Sequence, residues 1–216
     1  LHRVDRRQRQ MCIRDRALGQ LLRRRVNPVV AAIVCAVALA GSLVLMIQGR
    51  AAILRDGDEV ILKTAPVDPR DLMRGDYVRL RYEDISTVDG ALFTGTWPEK
   101  NLYAPVWLTL EPGEDGLVVV SALSLEKPDP VRPGSVYLKS KPTRLYAADE
   151  PKSGKLRLSL SFGIERYYVP EGEGLEIEDA RNAGRTTVAI RVSEDGEPQI
   201  ARLMIDGAML YEEPLY

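Results

Sequence analysis

Three carboxylates and a run of arginines and tyrosines are the residues through which this chain could do chemistry. Asp76, Glu165 and Glu171 all fall in its most distinctive stretches. Two carboxylates about 5–9 Å apart can act as acid and base, or acid and nucleophile, on a glycan. Acids beside arginine, as in Glu165-Arg166, also form ordinary structural ion pairs. The second constellation joins Arg74, Tyr77, Arg79 and Arg81 to Arg166, Tyr167 and Tyr168. Guanidinium forks and amphipathic rings suit interfaces and anionic ligands. The same residues on paired strands also make a stabilising ladder with no further role. Ser135, Lys139 and Lys141 contain the pieces of a Ser-Lys dyad, but they lie in an ordinary alternating strand.

Other chemistries lack their residues. Leu1–Arg16 back-translates onto a sequencing-library adapter, so it is read as non-native and set aside from fold reasoning. The native N-terminus is then expected to be cut off before Ala17. With that segment go the one His, Cys12, six Arg and two Asp, which leaves 24 basic and 29 acidic residues. No His-based triad or His metal site is expected in the remainder. It holds no Walker motif and no dinucleotide fingerprint. Neither a metal nor a cofactor is expected.

The elements that must position the Arg–Tyr constellation follow from alternation. Val78, Leu80 and Tyr82 point one way, and Tyr77, Arg79 and Arg81 the other, which predicts a strand with one apolar face. Gly75-Asp76 before it is a turn signal. Asp68-Pro69-Arg70-Asp71 predicts one helical turn, with Asp68 as N-cap and Pro69 at the first helical position. Gly75-Asp76-Tyr77-Val78-Arg79-Leu80-Arg81-Tyr82 resembles the signature of the GDYXXLXY family, membrane-anchored bacterial proteins named for that motif. The lead-in Pro66–Arg74 and the later stretch Phe162–Gly172 match as well, so the resemblance spans much of Val60–Tyr211. It implies an anchored envelope protein and brings no established activity.

Val29–Ile47 carries no charge and is long enough to cross a bilayer as a helix. A cleaved signal peptide is the competing reading, but the run exceeds the usual h-region of roughly 7–15 residues. Arg23-Arg24-Arg25 precedes the span in a tail without acids, which predicts that residues 17–28 stay cytoplasmic. Residues 48–58 are expected to be a polar connector and residues 59–216 an outer domain in the periplasm of an inner-membrane protein. From Arg50 onward there are 21 basic and 29 acidic residues, net −8, so a nucleic-acid partner is not expected.

Within the outer domain, short alternating runs between Gly- and Pro-rich turns predict a mainly β fold, barrel-like or sandwich-like. Expected strands are Glu59–Thr64, Val106–Leu110, Leu117–Leu125, Ser135–Ser140, Leu156–Phe162, Thr186–Val192, Pro198–Ile205 and Ala208–Tyr211. Glu194-Asp195-Gly196 and Asp206-Gly207 are expected as hairpin turns. Leu175–Arg181 reads as one or two helical turns, and Ala91–Tyr103 as an irregular excursion in which Trp97 and Tyr103 form a lid or pack under a loop. The expected function is a non-enzymatic accessory protein that binds a multi-spanning envelope membrane protein. A carboxylate-based glycan hydrolase and an anion or small-ligand sensor are the alternatives.

Overall fold

The structure is a computed structural model that describes residues 27–67, 77–113, 115–129, 133–149, 151, 156–170 and 173–214. Two compact units divide the chain, Leu1–Ile47 and Gln48–Tyr216.

Helix α1 runs Pro28–Asp56. Asn27 caps it by accepting the Val29 N–H through Oδ1 at 3.0 Å, and Pro28 fills the first helical position. Alanine, valine, leucine and isoleucine continue it, apolar on every side and exposed through Ile47. At about 1.5 Å per residue the run from Val29 to Ile47 rises about 28 Å, close to a bilayer's hydrocarbon thickness. This helix is therefore long and apolar enough to cross a membrane.

The helix does not stop where a connector was expected. Its last turns belong to the folded domain, because Ala51 and Leu54 fall on one face and are buried. Arg191 closes the end, donating from Nη1 to the carbonyls of Leu54 and Arg55 at 2.6 and 3.0 Å. A cation there meets the last unsatisfied carbonyls and the negative end of the helix dipole. Gly57 follows because a Cβ would lie 2.5 Å from the Ile53 oxygen and 2.9 Å from the Val192 oxygen.

Beyond Gly57 the described residues form thirteen strands and one further helix. The strands are β1 (Asp58–Lys63), β2 (Tyr77–Arg79), β3 (Thr87–Asp89), β4 (Leu102–Ala104) and β5 (Trp107–Pro112). Next come β6 (Val118–Ser124), β7 (Val136–Lys139), β8 (Thr143–Leu145), β9 (Arg157–Ser159) and β10 (Arg166–Tyr168). Helix α2 (Gly174–Asn182) precedes β11 (Thr186–Val192), β12 (Pro198–Ile205) and β13 (Ala208–Glu212). All named ladders are antiparallel: β1-β11-β12-β13, β6-β5-β7, and the pairs β2–β10, β3–β9 and β4–β8.

These five ladders share one core, which includes Leu62, Val78, Leu80, Leu108, Leu138, Ile177, Ile190 and Leu203. The mainly β fold with an N-terminal apolar helix is thus as the sequence predicts. The long strands are placed within a residue or two of expectation. Leu156–Phe162 is the exception, since only Arg157–Ser159 forms a ladder, although Leu158, Leu160 and Phe162 are all buried. Burial of alternate residues needs only an extended chain over the core, whereas a ladder needs a free partner edge as well. The excursion holds a 3₁₀ turn, Gly90–Leu92, and ends in β4. Trp97 packs edge-on to Phe93 at 4.8 Å and donates from Nε1 to the Tyr146 carbonyl, so it fills space under the loop. Asp206 and Gly207, at φ 52° and 77°, make the left-handed two-residue hairpin turn.

Candidate functional site

The two motif stretches meet. β2 and β10 pair with Arg79 opposite Arg166, Val78 opposite Tyr167 and Tyr77 opposite Tyr168. The Leu80 N–H donates to the Glu165 carbonyl at 2.9 Å, which fixes the phase of the ladder. Leu80 and Glu165 are a hydrogen-bonded pair, so Arg79 and Arg166 beside them are a non-hydrogen-bonded pair, the kind whose side chains approach most closely.

The upper face of this ribbon is cationic and aromatic. The Tyr77 and Tyr168 rings lie 6.0 Å apart, tilted by 52°. The Arg166 guanidinium carbon sits 5.6 Å from the Tyr77 ring centre. Tyr168 is 74% exposed, and Arg79, Arg81 and Arg166 are exposed too. Arg81 donates to Thr87 Oγ1 at 3.3 Å. Among the described residues none of these three arginines has a carboxylate partner.

The lower face is core. Val78, Leu80 and Tyr82 are buried, as alternation predicts, and the Tyr82 hydroxyl donates to the Ile164 carbonyl at 2.7 Å. Burial first, and the Glu165 charge second, push the Tyr82 phenol well above its usual range. Tyr167 was expected on the outer face, but its register opposite Val78 turns it inward. It packs 6.1 Å from the Tyr211 ring. Burial and then Glu213 raise its phenol as well.

Glu165 is neither an ion-pair partner of Arg166 nor a free acid. Its carboxylate accepts the backbone N–H groups of Phe162 and Gly163, which closes the turn leading into β10. Arg74, Gly75, Asp76 and Glu171 lie outside the described residues, as do the expected helical turn at residues 68–71 and the tail before residue 27. Among the described residues no group of three or more His, Cys, Asp or Glu is placed to hold a metal.

Sequence reasoning missed Arg181. It is 1% exposed, and among the described residues no carboxylate lies closer to it than Glu178 Oε1 at 3.9 Å. Its Nη1 donates to the Arg79 carbonyl at 2.5 Å, and its Nη2 to the carbonyls of Val67 at 3.3 Å and, through the side chain, Asn182 at 3.0 Å. Burial holds its pKa below the usual arginine value, with Glu178 acting the other way. The signal was present in α2, where Ile177, Ala180 and Arg181 fall at i, i+3 and i+4 on the buried stripe. Arg181 therefore holds the inner edge of β2 against α2. The Ala65 N–H seals the same side, donating to the Arg81 carbonyl at 2.7 Å.

A concavity of about 710 Å³ shares no residue with this face. It lies by the end of α1 and the β11–β12 turn. Lys127 and Lys139 approach the Trp107 ring there at 6.0 and 5.4 Å, and Asp56, Asp58, Glu194, Asp195 and Glu197 are among its other lining residues.

The fold and site together define a mostly β domain that follows one helix able to span a membrane and carries a cationic, aromatic face on its motif ribbon. A family model described as GDYXXLXY protein matches residues 39–203, and the chain belongs to the GDYXXLXY family. No curated protein and no solved structure matches the chain.

Proposed function

We propose that this is a non-enzymatic, membrane-anchored accessory protein whose outer domain binds another envelope protein, one with several membrane spans, through the Arg–Tyr face. The observation that carries the reading is the opposed pair Arg79–Arg166, next to Tyr77 and Tyr168, with no carboxylate partner among the described residues. Like charges directly opposite on a ladder oppose folding. A purely structural ladder would pair one of them with an acid. Arginine and tyrosine are also the residues that anchor interfaces. The hydrolase reading is weaker because Glu165 spends its carboxylate on two backbone donors.

The anchor reading has its own support. Ala-x-Ala sites occur only at Ala36-Val37-Ala38 and Ala38-Leu39-Ala40. Cleavage there would leave Gly41–Ile47, still apolar, attached to a helix end that the domain needs. Arg23-Arg24-Arg25 favours a cytoplasmic tail and a periplasmic domain.

The test is affinity purification of the full chain from detergent-solubilised membranes, with mass spectrometry of what accompanies it. The reading expects one membrane protein to co-purify with the wild type and to be lost with Arg79→Ala or Tyr168→Ala. Equal recovery with both variants would remove the Arg–Tyr face from consideration.

A further inference from the structure

Among the described residues the outer edge of β10 has no pairing strand. By the phase fixed above, the N–H and C=O groups of Arg166 and Tyr168 point away from β2, and among the described residues no other backbone group meets them. The inner side of the ribbon is closed by contrast, through Arg181 on the Arg79 carbonyl and Ala65 on the Arg81 carbonyl. Among the described residues the ribbon thus presents one free main-chain edge, and the cationic face lies directly beside it. Arg166 and Tyr168 project from that same exposed face, with Arg79 and Tyr77 behind them.

We propose that this edge takes an extended acidic peptide segment of a partner protein by strand addition, so that β2–β10 becomes a three-stranded ladder. The inference rests on the reading of the Arg–Tyr face as an interaction surface and adds the chemistry of what binds it. Strand addition satisfies free N–H and C=O groups with main-chain hydrogen bonds, and side chains at alternate positions supply specificity. Aspartate or glutamate at every second residue of the incoming strand would lie beside Arg166 and reach Arg79. Arginine forks bind carboxylates with two parallel hydrogen bonds. A simple anion or a lipid headgroup matches the charge but not the free edge, which only another peptide backbone completes. The net charge of −8 from Arg50 onward makes the arginine face a local exception on an acidic domain, which narrows where an acidic segment can settle.

The experiment uses the full chain in nanodiscs and a fluorescent, end-blocked hexapeptide that alternates Glu with Val. Anisotropy is read for this peptide, for one with Gln in place of Glu, and for one N-methylated at every backbone nitrogen. The expected result is saturable binding of the Glu peptide, at least tenfold weaker for both modified peptides and for Arg79→Gln with Arg166→Gln. Hydrogen exchange at the Arg166 and Tyr168 amides should slow when it binds. Equal binding of the N-methylated peptide, or no binding by the Glu peptide, overturns strand addition. Phosphatidylglycerol vesicles that bind through Arg79 and Arg166 and displace the peptide would also overturn it, in favour of a lipid headgroup. If the peptide fails while co-purification still depends on Arg79, strand addition falls and the interaction surface stands. If both fail, both readings fall.

Discussion

Arg79 and Arg166 stand opposite each other because the register of β2 and β10 leaves them no choice, and the folded domain gains nothing from the meeting. Arg79→Ala and Arg166→Ala should therefore change stability by less than about 0.5 kcal/mol in urea unfolding, the usual size for exposed substitutions. A loss above about 1 kcal/mol would make the face a structural ladder. Arg181 is the contrast. Arg181→Leu strips the Arg79 and Val67 carbonyls of a buried donor and should cost about 2–3 kcal/mol. Arg181→Lys should recover only part of this, since an ammonium cannot reproduce the planar fork. The buried phenols of Tyr82 and Tyr167 set an alkaline limit. Both have folded pKa values raised above the unfolded value of about 10, so their contribution is intact below that pH and is lost as pH rises past it. Tyr82→Phe should cost about 1 kcal/mol at pH 7, through the Ile164 carbonyl, and should shrink the loss between pH 9 and 11. An unchanged alkaline slope would clear Tyr82 of that role.

At the scale of elements, two joints hold the domain to its own helix end and its two largest sheets to each other. Arg191 joins the α1 terminus to Glu59, whose carboxylate also pairs with Arg202. Arg191→Ala should cost about 1–3 kcal/mol by leaving helix-end carbonyls without a donor. It should also raise exchange at the amides of residues 51–56, and unchanged exchange there would show that burial of Ala51 and Leu54 suffices. The second joint is the β11–β12 turn on β7, where the Lys139 N–H donates to the Gly196 carbonyl at 2.9 Å. Gly196 has φ 77°, and a Cβ there would lie 2.5 Å from Trp107 Cζ3 and 3.0 Å from the Lys139 backbone nitrogen. Gly196→Ala meets both strain and overlap, and should cost about 2–4 kcal/mol. A cost under about 0.5 kcal/mol would mean that the turn relaxes away from Trp107.

For the whole molecule, the reading makes a topological prediction. Protease added to cells with a permeabilised outer membrane should digest the C-terminal domain while the inner membrane is intact. Replacing Arg23, Arg24 and Arg25 with Glu should weaken that orientation. Protection of the domain until the inner membrane is lysed would reverse the assignment, and with it the envelope partner. Release of the domain as a soluble fragment would favour the signal-peptide reading instead.

By itself, the sequence determined what depends on neighbours along the chain. An uninterrupted apolar run between Asn27-Pro28 and Gln48 reads as a helix long and apolar enough to span a membrane. Alternation placed Val78, Leu80 and Tyr82 inward and Arg79 and Arg81 outward, and turn residues placed the hairpins of β11, β12 and β13. The tertiary structure decided what depends on partners distant in sequence. That Arg79 meets Arg166 required two strands more than eighty residues apart to share a register. Tyr167 turned inward because a strand residue faces away from both its neighbours, Arg166 and Tyr168, and the register then set it against Val78. The last turns of α1 looked polar enough to be a connector until Arg191 supplied donors for their carbonyls. The role of Arg181 appeared only once the fold turned the Val67 and Arg79 carbonyls toward it. Charged side chains carry long reach and little local signature, so where they end is settled by whichever distant backbone groups the fold leaves unsatisfied.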